Sequence, residues 1–223
     1  MQKGRGLVLP VLAATLIAAS MSLIGAYVPT EESMGVVQKI FYIHVPLAWV
    51  AFLAFFVVFV ASMLYLWKRD RRWDFWAAAS AEVGLVFTTL VLITGPIWAK
   101  SAWGAWWSWD MRLTTTLVLW FIYAAYFAVR GFVNDEERAA RYGAVVGVIG
   151  FLDVPIVAIA IVLSRTQHPG PVVFEGGLTG SMLLTLLVSL AAFTALYAAL
   201  VRSRASANHT RYDIVRLRQD LED

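Results

Sequence analysis

Six apolar stretches, each near the length of a membrane span, constrain this chain more than any other feature. They run over residues 7–28, 40–67, 75–98, 113–129, 142–164 and 178–201 of 223. Crossing roughly 30 Å of hydrocarbon takes about 20 helical residues at 1.5 Å each. The shortest stretch lies between Arg112 and Arg130, whose long side chains snorkel to the interfaces. The second is longer than a bilayer requires, so it tilts or projects. Apolar residues make up 60% of the chain and charged ones 15%, a balance foreign to soluble domains. The expected fold is all-α, a polytopic membrane protein of six transmembrane helices with short connections. The first stretch has no clear small-x-small cleavage site and is kept as a span rather than a signal peptide. Residues 1–201 then form the membrane domain and 202–223 a polar, basic tail. In that tail Ile214, Leu217 and Leu221 fall at helical spacing, which suits either a short surface helix or a frayed, solvated end.

Lysine and arginine set the expected orientation. The N-terminus (Lys3, Arg5), the second connection (Lys68, Arg69, Arg71, Arg72), the fourth (Arg130, Arg138, Arg141) and the tail (Arg202, Arg204, Arg211, Arg216, Arg218) hold fourteen. Lys39, Lys100, Arg112 and Arg165, the other four, occupy the remaining connections. The alternation predicts both termini in the cytoplasm, with connections 29–39, 99–112 and 165–177 outside. A net charge of +3 spread over membrane edges gives no nucleic-acid surface. The absence of cysteine removes disulfides and thiolate ligands supplied by this chain.

That orientation gathers the unusual residues on one face. His44 stands at the outer end of the second span in Tyr42-Ile43-His44-Val45-Pro46. His168 lies in the last outer connection in Gln167-His168-Pro169-Gly170. The middle outer connection carries Trp103, Trp106, Trp107 and Trp109, followed by Asp110 and Arg112. His209 belongs to the opposite side. Two neutral imidazoles can bind a transition metal, or clamp an iron porphyrin from both faces. A bare zinc or copper site would recruit a third ligand, whereas haem brings four nitrogens of its own. Were residues 103–110 helical, Trp103, Trp106, Trp107 and Asp110 would share one face, a platform for a flat apolar ligand. The plainer readings are an interfacial tryptophan belt and an ordinary helix-end histidine. Lys39, Lys100, Arg112 and Arg165 are candidates for haem propionates or simple flanking charges, with Arg112 preferred.

The run Trp103-Gly104-x-Trp106-Trp107-x-Trp109-Asp110-x-Arg112-Leu113-Thr114 resembles the tryptophan-rich (WWD) signature of haem-handling proteins of cytochrome c maturation. With Tyr42-x-His44-Val45-Pro46 before it and His168-x-Gly170 after it, the chain resembles the heme exporter protein C (CcmC) family over about residues 36–171. The resemblance implies a non-enzymatic carrier of haem b in the bacterial inner membrane, with His44 and His168 as axial iron ligands. It implies that the tryptophan segment lines the haem surface. It also implies handover to the haem chaperone CcmE beside the ABC-type subunits CcmA and CcmB and the small protein CcmD. The rival readings are a transporter moving haem through the bundle, or a subunit of a CcsA-type synthase. Six spans and two outer histidines speak against the synthases, which have more of both. Glu82 and Asp153, acids within spans, are the residues a polar route would use.

Overall fold

The computed structural model describes residues 5–32, 34–163, 168 and 176–222, without side chains at 5 and 161–163. Among the described residues there is no strand. The helices are α1 (Arg5–Ser22), α2 (Phe41–Lys68), α3 (Arg71–Trp103), α4 (Met111–Phe132), α5 (Glu136–Gly150), α6 (Asp153–Leu163) and α7 (Gly180–Glu222). A π turn at Leu23–Tyr27 ends the first span and a 3-10 turn at Val36–Ile40 leads into the second. Six stretches are long and apolar enough to cross a membrane: Gly6–Tyr27, Val36–Lys68, Arg71–Trp103, Met111–Phe132, Glu136–Ala160 and Gly180–Glu222.

The sequence starts its helices with aspartate. Asp70, Asp110 and Asp135 each stand immediately before a helix and accept from a backbone N–H of its first turn, at Arg72, Leu113 and Arg138 respectively. Each satisfies a donor that a helix start leaves unpaired. Only Arg69 and Asp70 separate α2 from α3, and Arg69 takes a left-handed conformation with φ 57° to close α2. The Arg72 side chain, hydrogen-bonded to Asp70, holds that carboxyl below the usual carboxylate range.

The α2–α3 hairpin is the centre of the bundle. On one side it packs on α7, and α1 packs on α7 in turn. On the other side it meets α4 and α5, and α6 packs on α4. At Gly84 an added Cβ would lie 2.8 Å from the Phe55 ring, so the bare backbone lets α2 and α3 approach closely, as small residues do between membrane helices. Phe55 in turn stacks on Tyr123 at 3.7 Å, joining α2 to α4. Polar contacts tie the outer helices: Ser20 to Ser189 at 2.7 Å, and Ser80 to Tyr197 at 2.8 Å.

Three expectations change. The fifth span is not one helix: α5 stops at Gly150 and α6 begins at Asp153. Pro155 has no N–H to bond the Phe151 carbonyl, and the Val154 N–H takes that acceptor instead at 3.1 Å. Proline is tolerated in a first turn, so the helix restarts rather than kinks. The basic tail is not a separate short helix, because α7 runs unbroken past residue 201 to Glu222. Its extension packs on the start of α3 through Arg204 to Glu82 at 2.5 Å, His209 to Phe75 and Tyr212 to Arg71. Beyond Tyr212, Ile214, Leu217 and Leu221 are exposed. Glu82, expected as an intramembrane acid, is thus an ion-paired residue on a partly exposed face.

Candidate functional site

One rim of the bundle holds the start of α2, the end of α3, the start of α4 and His168. His44 sits in the first turns of α2, and its Nδ1 lies 2.8 Å from the Thr94 hydroxyl on α3. The Thr94 hydroxyl is also 2.8 Å from the Leu90 carbonyl. Where the threonine proton goes to that carbonyl, which only accepts, the hydroxyl oxygen accepts from His44 Nδ1–H. That arrangement makes the imidazole the Nδ1–H tautomer, and Nε2 has no hydrogen-bond partner among the described residues. Gly95, the next residue, lies against the same ring: a Cβ there would be 3.3 Å from His44 Cε1.

His168 and Arg112 lie close enough for their charges to act on His44. Three connections remote in sequence thus converge. Arg165 and Gly170, beside His168, lie outside the described residues, as does Lys3. Two of the other rim cations are already engaged: Lys39 donates to the Gly25 carbonyl at 3.2 Å and Lys100 to the Gly104 carbonyl at 2.8 Å. Arg112 is the described rim cation placed beside His44. Among the described residues no three His, Cys, Asp or Glu side chains group as metal ligands.

The tryptophan segment is a connection rather than a helix. Trp103 is the last residue of α3, and Gly104 closes that helix with φ 76°, a conformation that favours glycine. The chain is then irregular to Asp110, the cap of α4. The single aromatic face expected from a helix over 103–110 is consequently absent. Two edge-to-face pairs form instead, Trp98 with Trp103 at 5.2 Å and Trp107 with Trp109 at 5.7 Å. Trp106 and Trp109 are 59% and 76% exposed. The Trp107 indole N–H is buried with no acceptor among the described residues. Asp110 also accepts from Ser108 at 3.2 Å, so its carboxylate organises the end of the segment. Thr94, Gly95 and Trp98 were not anticipated, since within an apolar span none of them carries a local signal.

The fold and rim define a multi-pass helical membrane protein with a histidine pair and a tryptophan-rich connection at one end. The family model for heme exporter protein C matches residues 3–219. Heme exporter protein C of Bradyrhizobium diazoefficiens is 39% identical over 198 residues, covering 86% of this chain and 75% of that protein. The Escherichia coli protein of that name is 32% identical over 178 residues, covering 80% and 73%. A putative cytochrome c biosynthesis ccmC-like mitochondrial protein of Marchantia polymorpha is 30% identical over 167 residues, covering 74% and 71%. The chain belongs to the heme exporter protein C family, whose members handle haem in cytochrome c maturation.

Proposed function

We propose that this protein carries haem b as cargo at the periplasmic face of the inner membrane and passes it to the chaperone CcmE, working beside CcmA, CcmB and CcmD. The observation that supports this best is the bare Nε2 of His44, held by Thr94 within electrostatic reach of His168 and Arg112. When bound, haem supplies an iron with two axial positions open to nitrogen ligands. His44 and His168 occupy them. Arg112 and the Trp107 indole N–H offer a charge and a donor suited to the propionate edge, and Trp106 and Trp109 present an apolar surface that a soluble partner can reach. The role is that of a carrier, in keeping with membership of the heme exporter protein C family. Residues 1–201 constitute the membrane domain, and 202–223 continue α7 into the cytoplasm. Transport through the bundle is disfavoured, since Glu82 is committed to Arg204, leaving Asp153 as the one acid of the proposed route.

Reporter fusions check the orientation. Those after residues 35, 105 and 172 are expected to read as external, and those after 70, 136 and 210 as cytoplasmic. An external C-terminus would reverse the proposed face.

Handover is tested by measuring haem per protein and chaperone-bound haem in the same cells. Trp106→Ala/Trp107→Ala removes stacking area worth about 1–3 kcal/mol, so bound haem falls on the order of tenfold but stays detectable. Chaperone loading falls much further, because the segment also orients the porphyrin edge. Asp110→Asn retains a good helix cap while removing the charge, and near-normal haem with poor loading is expected. Strictly proportional losses in every variant would show that the segment only binds.

A further inference from the structure

We propose that Thr94, with Gly95 beside it, is a positioning residue that sets the protonation and direction of the His44 ring before any haem arrives. The two occupy consecutive places on α3, fifty residues from His44 in sequence, and they act on adjacent edges of one imidazole. Thr94 takes the Nδ1 edge through the 2.8 Å hydrogen bond. Gly95 leaves the backbone flush against Cε1, where even a methyl group would sit 3.3 Å away. The edge left over is the one bearing Nε2.

The hydroxyl takes the acceptor role in this arrangement. Its proton is committed to the Leu90 carbonyl at 2.8 Å, with the Val91 carbonyl at 3.4 Å on the same side. Threonine hydroxyls inside helices commonly donate to the carbonyl one turn back. What it has left for His44 is a lone pair, and a lone pair selects Nδ1–H over the Nε2–H form that free histidine favours. Valine would fill the same volume without that lone pair, and serine would restore it. This is the general arrangement in which a ligating histidine donates its second N–H to a fixed oxygen. Here the oxygen belongs to a neutral hydroxyl, itself polarised by the helix backbone. Gly95 adds a steric condition: the Cε1 edge comes so close to the α3 backbone that a side chain there would displace the ring.

The tautomer is a property of the apoprotein and does not depend on the haem reading. The consequence for axial ligation rests on that reading. The full-length protein, labelled with nitrogen-15 at histidine and reconstituted in lipid without haem, reports the tautomer directly by solid-state NMR. The His44 signals are assigned by their loss in His44→Gln. Wild type is expected to show a protonated Nδ1 and a bare Nε2 at His44. Thr94→Val is expected to shift the ring to the Nε2–H form, and Thr94→Ser to return it to Nδ1–H. In haem-loaded protein, Thr94→Val raises the midpoint potential, because the imidazole loses electron density when its Nδ1–H has no acceptor, and Thr94→Ser restores it. Gly95→Ala keeps the Nδ1–H signal and weakens haem retention by displacing the ring. If Thr94→Val leaves His44 as Nδ1–H, the proposal is overturned, whatever the haem content. A wild-type protein that shows the Nδ1–H tautomer and a valine-sensitive shift yet takes up no haem overturns the carrier function instead and leaves Thr94 in its role.

Discussion

In His44→Ala and His168→Ala proteins the haem absorption spectrum is expected to change from six-coordinate low-spin to five-coordinate high-spin, or to disappear. Each substitution removes one axial nitrogen and leaves the porphyrin on the other histidine and on apolar contacts. Loss of an outer partner of a metal ligand already costs about 10–100-fold in affinity, so loss of the ligand itself costs at least that. His209→Ala is the control. His209 sits on the extension of α7, its Nδ1 2.9 Å from the Asp213 carboxylate and its ring packed edge-on against Phe75, so the spectrum should not respond. Added imidazole should restore low-spin character in the alanine variants by filling the vacated position. Purified protein titrated with haem and read by absorption decides the matter. Low-spin spectra in both rim-histidine variants would remove them as ligands and leave Met34 or Met111, at the same rim, to be tested.

The second large effect lies at the other end of α3, about 30 Å from Thr94 by helical rise. Asp74 is 3% exposed, and Arg130 of α4 grips both its oxygens, at 2.6 and 3.1 Å. Arg71 approaches the same carboxylate at 3.5 Å and donates to the Glu136 carbonyl of α5 at 3.0 Å. The Arg130 guanidinium also lies over the Tyr126 ring at 5.5 Å. Removing one partner of a buried, bidentate pair strands the other charge, at a cost of about 3–5 kcal/mol. Arg130→Ala and Asp74→Ala should therefore unfold at much lower denaturant in detergent. Replacing both with apolar residues, as in Asp74→Leu/Arg130→Met, should recover most of the loss, because no charge is left alone. Arg72→Ala, which touches only the exposed Asp70, should change little. If the double replacement is as unstable as either single one, the ion pair is not the cause.

Hydropathy alone made the spans legible, since a long apolar stretch has no other way to satisfy its backbone in lipid. It could not show the break at residues 151–152, because Phe151 and Leu152 are as apolar as their neighbours and only the missing N–H of Pro155 distinguishes them. Nor could it show α7 continuing through Arg202. Polar residues signal the end of the bilayer, not the end of a helix, and the contacts with α3 that hold the extension are long-range. At the site, His44, His168 and Arg112 were legible as chemistry. Asp110 was legible too, although its carboxylate turned out to cap α4. Reading the tryptophans as one helical face failed at Gly104, whose left-handed backbone ends α3 before the run is complete. Thr94 was invisible, because one threonine in an apolar span carries no local signal. Its meaning comes from the register of α3 against α2.

A helix of 43 residues is a stiff rod about 65 Å long at 1.5 Å per residue. One end of α7 follows the connection that carries His168, and the other projects past the opposite rim. Over that length a tilt of only about 5° at the histidine end swings Glu222 through roughly 6 Å. The same leverage works in reverse, so a push on the exposed aliphatic tip at Leu217 and Leu221 is felt at Gly180. α7 thus runs as one continuous element from one rim past the other, tied to α3 where Arg204 meets Glu82.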